Sequence, residues 1–337
     1  MNAPTREEFL ARRQAGIGGS DIAALLGLSK YKTPLQLWME KTGRGVDEPD
    51  EAAQERMHWG VVLEDVVARH YARTRNAQVQ RINAQMHHPA VKIAFTNIDR
   101  AITVPGRRAR WDAELGRVQG AEGILECKTA HALAQNSTDW GDAGTEDVPQ
   151  AYWMQCQWYL GITRLDVADL AVLFGGQRFV VYTIHRDQQI FDDMLAEADA
   201  WWQRHVVADL PPDPSGEDDA RRLWKSHVAG RERIVDAQVA TAVEDLVTVK
   251  EQIKALQDRE QALRDAILPV FGDAEAITFA GRRLATWKAN KASSKTDWKG
   301  LSSRLAAHVD PRLAADLTSM HTTTTEGARV LRLNTKE

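Results

Sequence analysis

The sequence predicts an α/β fold in which a mixed sheet is flanked by helices, followed by a helical appendage. Three observations carry this. Strand-like and helix-like segments interleave up to about residue 210. One apolar strand, Gly123-Ile124-Leu125-Glu126-Cys127-Lys128-Thr129-Ala130, ends in a carboxylate and a lysine. Beyond a proline-rich break, a heptad pattern replaces the alternation.

Composition narrows the class. The chain has 337 residues and a net charge of −4, so two domains are expected and coating of nucleic acid by bulk charge is not. A local basic groove remains compatible with that balance. No apolar run reaches the roughly 18 residues of a membrane span, and MNAPTREEFLARR lacks an export signal's apolar region. The two cysteines, Cys127 and Cys156, exclude a disulfide framework and a thiolate zinc site. These features fit a cytoplasmic protein. The eleven tryptophans are mostly core candidates, with a few able to stack on bases.

In chain order, residues 6–13 read as a short helix. Ala15-Gly16-Ile17-Gly18-Gly19-Ser20-Asp21 is a glycine-rich turn, with Ser20 expected to cap the helix 21–26. Such a turn is either a plain cap or an anion site. Thr33 and Pro34 open a second helix. Together, residues 21–38 have the outline of a helix-turn-helix, but Leu35, Leu37 and Trp38 point to packing rather than to base reading.

A long helix is expected over 55–76, with Met57, Val61, Leu63, Val66, Val67, His70 and Tyr71 on its broad apolar face. Glu64 lies inside it, a solvated carboxylate unless a metal site forms nearby. Val79–Met86 reads as a strand, and 93–104 as one or two more. Asp99 interrupts that apolar run, and a buried carboxylate is costly unless paired or metal-bound. Residues 105–120 read as a hairpin excursion holding a second acid, Asp112. In the next strand, the period of two puts Glu126 and Lys128 on one face and Cys127 on the other, in the core.

Pro149 is expected at the first position of a helix on which Tyr152 and Gln155 share a face, with Gln157 off it. Strands 165–174 and 179–185 form a hairpin through Gly175-Gly176, and a helix spans 190–207. Residues 211–216 read as a linker, dividing domains 1–210 and 217–337. In the second, the seams Val239, Leu246, Ile253, Glu260, Ile267 and Ala242, Val249, Leu256, Leu263, Val270 predict a helical hairpin or coiled coil. Segments 276–289 and 328–333 read as strands. Arg282, Arg283, Lys288, Lys291, Lys295 and Lys299, with Trp287 and Trp298, make a basic, aromatic stretch that suits single-stranded nucleic acid or a solvated face.

An E-x-K triplet alone can be an exposed ion pair. With Glu64 and Asp99 it makes a plausible site for a hard cation, Mg²⁺ or Mn²⁺, which favours oxygen ligands. The order of these residues resembles the PD-(D/E)xK nuclease superfamily. More closely, IGGSDIAALLGLSKYKTPLQLW, HWGVVLE, TNIDR, GILECKTA and PQAYWMQCQWYL are similar to the phage YqaJ-type viral recombinase family, related to lambda exonuclease, over about residues 10–205.

The resemblance implies a restriction-endonuclease-like core and a role for each matched position. Asp99 and Glu126 would be the main metal ligands, with Glu64 a further ligand or water contact. Lys128 would position or deprotonate the attacking water, and Gln155 would complete the site. Arg13 and Ser20 would bind the 5′ phosphate of a DNA end, with Tyr152 packing near. It implies a 5′-to-3′ exonuclease on linear duplex ends, a ring-shaped trimer, and a single-strand annealing recombinase as partner in a phage-infected or prophage-bearing bacterial cell. The 27-residue interval from Asp99 to Glu126 is longer than the family's. It leaves Asp112 as an alternative ligand, with Asp99 favoured by its apolar context. The rival readings are an endonuclease of the same superfamily, a DNA-binding protein with a decayed site, and a helix-turn-helix regulator.

Overall fold

The computed structural model describes residues 14–45, 50–290 and 297–322. The chain forms two units, Met1–Leu223 and Trp224–Glu337. Arg13 and the expected elements at 6–13 and 328–333 lie outside the described residues, as do Lys291 and Lys295.

The first unit is built on a five-stranded mixed sheet. Its strands are β1 (Gln78–Gln80), β4 (Arg100–Thr103), β7 (Ala121–Ala130), β8 (Val167–Phe174) and β9 (Arg178–His185), in the order β1-β4-β7-β8-β9. Only β7 and β8 run parallel. The helix α4 (Gln150–Thr163) connects them, as a parallel pair requires a crossover. Small ribbons pair β2 (Met86–His87) with β3 (Phe95–Thr96) and β5 (Arg110–Asp112) with β6 (Arg117–Gln119).

The alternation along β7 sorts two cores. Ile124 packs with Trp158, Leu160, Leu170 and Val172 under α4, α1 (Gly19–Leu25) and α5 (Gln188–Trp201). Leu125 and Cys127 pack on the other face with Val67, Ala68 and Tyr71 of α3 (Glu51–Thr74). Each face buries several large aliphatic side chains, at about 1.5–3 kcal/mol for each one removed from water. Two glycines set helix approaches. A Cβ at Gly161 would meet the Phe191 ring at 2.0 Å, and one at Gly19 would meet the Tyr159 ring at 2.4 Å.

Several expectations are corrected. Ser20 does not cap α1. Gly18 is the N-cap, and its N–H donates to Asp21 Oδ2 at 3.1 Å, so Ser20 lies within the first turn. Pro149 stands at the N-cap of α4 rather than inside it. The strand expected over 79–86 is replaced by the short strands β1 and β2, and the Gln80 side chain at the end of β1 bonds the backbone of Ala109 through both its nitrogen and its oxygen. Asp99 lies in a bend just before β4 rather than within a strand. Met57, Val61 and Val66 are exposed, so the buried stripe of α3 is confined to its C-terminal half. The helix expected over 190–207 is α5 followed by a π-helical turn, Trp202–Val207.

The second helix, α2 (Pro34–Lys41), forms as expected. Thr33 Oγ1 accepts from Gln36 N–H at 3.1 Å and the Gln36 side chain accepts from Thr33 N–H at 3.0 Å, a capping box ahead of Pro34. No residue of α2 is exposed, which removes the helix-turn-helix reading.

The helix α6 (Glu217–Leu223) belongs to the first unit, because Asp219 Oδ1 accepts from Thr33 Oγ1 at 2.9 Å. The division therefore falls after Leu223 rather than at the linker. The second unit holds α7 (Ala237–Phe271), a hairpin of β10 (Ala276–Phe279) and β11 (Arg282–Thr286), α8 (Trp298–Ala306) and α9 (Pro311–Met320). The expected helical hairpin does not form among the described residues. Of α7 only Phe271 is buried, and its seam, Leu246, Val249, Ile253, Leu256 and Leu263 included, is exposed.

Candidate active site

The central strand β7 carries Glu126 and Lys128 to the α4 face of the sheet. Glu126 is buried, and Lys128 Nζ donates to its Oε1 at 2.5 Å. Gln155, one turn into α4, donates from Nε2 to the same oxygen at 2.8 Å. It also donates to the Tyr159 hydroxyl at 2.6 Å. Residues i and i+4 share a helix face, so Tyr159 backs Gln155 and fixes its amide. The other carboxylate oxygen, Glu126 Oε2, is buried and has no hydrogen-bond partner among the described residues.

Asp99 joins this group from the bend before β4. Its Oδ2 accepts from the N–H of Cys127 at 2.9 Å, which holds it against the strand beside Glu126. Burial, then repulsion from Glu126, pushes its carboxyl up to about 8. Lys128 feels the same pair in the opposite sense. Burial alone would lower its pKa, but the charge and hydrogen bond of Glu126, then Asp99, outweigh it and hold the ammonium above the usual lysine range. The ammonium also lies 5.5 Å from the Tyr152 ring centroid, within cation–π range.

Glu64 and Asp112 are placed differently. Glu64 Oε1 accepts from Arg100 Nη1 at 2.6 Å and from Arg81 Nη2 at 3.1 Å. Arg100 Nη1 also donates to the Asp99 carbonyl at 2.6 Å, and its Nη2 to Asp65 Oδ1 at 3.1 Å. Glu64 thus reaches the site through Arg100, at the backbone of Asp99. Asp112 closes its own hairpin, accepting from Leu115 N–H and Gln119 Nε2, each at 3.0 Å. Ser20 is exposed at the start of α1. That turn is anchored from below, where Lys41 Nζ donates to Asp21 Oδ2 at 2.7 Å with both side chains buried.

The structure therefore brings together Asp99, Glu126, Lys128 and Gln155, with Tyr152 alongside. Among the described residues, no three His, Cys, Asp or Glu side chains converge as a metal cluster. The two carboxylates nevertheless fit a divalent cation. Glu126 offers an orphaned buried oxygen and Asp99 a charge that its neighbour disfavours, and a cation relieves both. Arg100 and Tyr159 complete the support and were missed in the sequence, although Arg100 directly follows Asp99 and Tyr159 lies one turn past Gln155.

Residues 8–166 match the YqaJ-like viral recombinase domain. The chain is 33% identical over 290 residues to the uncharacterized protein YqaJ of Bacillus subtilis (strain 168), covering 84% of this chain and 83% of that one. Among solved structures it is similar to the alkaline exonuclease LHK-Exo from Laribacter hongkongensis, with 14% identity, 60% of this chain, 93% of that one and a TM-score of 0.44. It is also similar to a phage related exonuclease from Haemophilus somnus 129PT, with 15% identity, 58% of this chain, 96% of that one and a TM-score of 0.39. With a third of its residues shared along most of both chains, this protein belongs to the YqaJ-like viral recombinase family.

Proposed function

We propose that this protein is a metal-dependent deoxyribonuclease, an exonuclease that degrades one strand from linear duplex ends, 5′ to 3′. The observation that carries this is the grouping of Asp99, Glu126, Lys128 and Gln155, in which Lys128 and Gln155 bond Glu126 Oε1 and Oε2 is left without a partner among the described residues. Family membership supports DNA as the substrate. The polarity follows from the resemblance of its motifs to lambda exonuclease. The remaining single strand would pass to an annealing recombinase in a bacterial cytoplasm, and the chain would act as a homo-oligomer, a ring trimer by the same resemblance. No helix among the described residues is long and apolar enough to cross a membrane.

Asp99 and Glu126 would hold Mg²⁺ or Mn²⁺, with Glu64 steadying Asp99 through Arg100. A bound cation of this kind neutralises phosphate charge and lowers the pKa of a coordinated water. The protein's own groups do the rest. Gln155 occupies Glu126 Oε1 and leaves Oε2 as the available donor. Lys128, kept protonated by its two carboxylates, acts as a charged donor that positions the attacking water and the scissile phosphate. The Tyr152 ring lies within cation–π range of that ammonium. Ser20, at the start of α1, and Arg13 bind the terminal 5′ phosphate.

The test uses a 5′-phosphorylated linear duplex and a closed circle, each with and without Mg²⁺. The linear form is digested only with metal, the circle is untouched, and Lys128→Ala abolishes digestion while keeping the thermal transition. Undiminished digestion by Lys128→Ala overturns the assignment, and cutting of the circle replaces exonuclease by endonuclease.

A further inference from the structure

The site described above is built from residues of the first unit, and the charge of the second unit is unevenly spread. Residues 276–309 contain seven Lys or Arg and one acidic residue, within a chain of net charge −4. The β10–β11 hairpin lies in this stretch. Its turn residues Ala280 and Gly281 both have positive φ, 48° and 77°, as a two-residue type I′ hairpin turn requires. The register then sets Phe279 directly opposite Arg282 at the tip, with Arg283 opposite Thr278.

The tip is chemically unfinished. Phe279 is 72% exposed, although a phenylalanine ring is among the side chains that gain most from burial. Among the described residues, neither Arg282 nor Arg283 pairs with a carboxylate. Lys288, at the base of the same hairpin, does pair, with Glu275 at 2.6 Å. An acid is thus supplied at the base and withheld at the tip. Unpaired guanidinium groups beside an exposed ring complement a ligand that carries both phosphates and unstacked aromatic faces.

We propose that this hairpin tip binds single-stranded DNA. Arg282 takes a backbone phosphate on the face it shares with its cross-strand neighbour Phe279, which stacks on an unpaired base, and Arg283, on the opposite face, takes a second phosphate where the strand crosses the tip. The arginines alone would serve a duplex equally well. The ring decides for a single strand, because stacked base pairs offer no free face. The choice of DNA rests on the nuclease reading, in which the undigested strand is the species that accumulates beside the enzyme.

The experiment is fluorescence anisotropy of a labelled oligothymidylate of about 16 nucleotides, a length that spans one typical binding site. It uses the full chain in EDTA, across a salt series, with a duplex of equal length beside it. Arg282→Ala/Arg283→Ala should weaken single-strand binding about tenfold and reduce the log–log salt slope by about 1.4, the value for two phosphates on a single strand. Phe279→Ala should weaken it about tenfold through lost stacking and leave duplex binding unchanged. Arg282→Lys/Arg283→Lys should restore the salt slope. All three side chains are exposed, and thermal melting checks that each variant folds. Wild-type affinity in both alanine variants overturns the proposal, as does an equal loss on duplex for Phe279→Ala. Digestion with Mg²⁺ by the same proteins separates the two readings. A wild-type chain that digests nothing, while the hairpin variants still lose binding, sinks the nuclease and leaves the hairpin. Normal digestion with unaltered binding does the reverse.

Discussion

Gln155 bridges the strand and the helix of the site: one amide nitrogen donates to Glu126 Oε1 at 2.8 Å and to the Tyr159 hydroxyl at 2.6 Å. In the proposed site it acts as a positioning group, because it occupies Glu126 Oε1 and leaves Oε2 to a ligand. Partners of this kind typically contribute about 10–100-fold to metal affinity or activity. Gln155→Ala is therefore expected to raise the Mg²⁺ concentration needed for half-maximal digestion by about that factor. Activity at saturating metal should recover in part. Gln155→Glu should be worse, because it places a third carboxylate beside Glu126 and Asp99. A metal titration of digestion rate checks both, and an unchanged titration in Gln155→Ala removes the role.

Asp99 and Asp112 separate cleanly. Asp99 is bonded to the backbone of Cys127 beside Glu126, whereas Asp112 is bonded to Leu115 and Gln119 within its own hairpin. Asp99→Asn should abolish digestion without unfolding the protein. Asp112→Ala should keep digestion and lower stability by about 1 kcal/mol per lost hydrogen bond, a typical net value. Paired digestion and urea-denaturation measurements decide. Loss of digestion in Asp112→Ala with the fold intact would transfer the ligand role to it.

Much of this was legible in the sequence for a physical reason. The E-x-K strand has period two, so the shared face of Glu126 and Lys128 and the core position of Cys127 follow from backbone geometry alone. That Tyr152 and Gln155 share a helix face was legible from spacing, whereas the place of Gln155 beside the E-x-K strand came from the resemblance. The placement of Glu64 was not legible, because Arg100 intervenes, and a side chain's partner across a sheet is set by tertiary packing. The cap of α1 was misread for a related reason. Ser20 is the better N-cap by propensity, yet Gly18 takes that position and Asp21, held by Lys41, accepts the Gly18 N–H. The helix α7 was legible from its spacing, but a heptad repeat does not say what covers it.

The raised carboxyl of Asp99 makes metal-free stability depend on pH. Unfolded, the group titrates near the ordinary value of about 4. Folded, it holds its proton up to about 8, through burial first and Glu126 second. Between those values the folded state binds more protons than the unfolded state, so stability falls as pH rises through the window. The contribution is fully present below about 4 and lost by about 8. In EDTA the melting temperature should therefore decline across this range, and Asp99→Asn should flatten the decline. Mg²⁺ should raise the melting temperature most at the alkaline end, where both carboxylates are free of protons. A melting temperature that rises with pH in EDTA contradicts the arrangement.

The glycine-rich turn is held by the ion pair of Asp21 and Lys41, whose side chains are 1% and 0% exposed. Asp21 also accepts the N–H of Gly18, so one carboxylate links α2 to the start of α1, where Ser20 is displayed. Removing one partner of such a buried pair typically costs about 3–5 kcal/mol, whereas replacing both with apolar groups is often close to neutral. Lys41→Met alone should lower unfolding stability by an amount in that range. Asp21→Ala should do the same and should also loosen the turn. The double variant Asp21→Leu/Lys41→Met should recover most of the stability in urea denaturation. Its turn lacks the Gly18 bond, so a terminal 5′ phosphate should be read poorly even though the fold is restored. The measurement is digestion of a 5′-phosphorylated against a 5′-hydroxyl duplex. The wild type should prefer the phosphorylated end, and the double variant should lose that preference while retaining metal-dependent turnover. A stable double variant with full preference would show that the turn holds its shape without the ion pair.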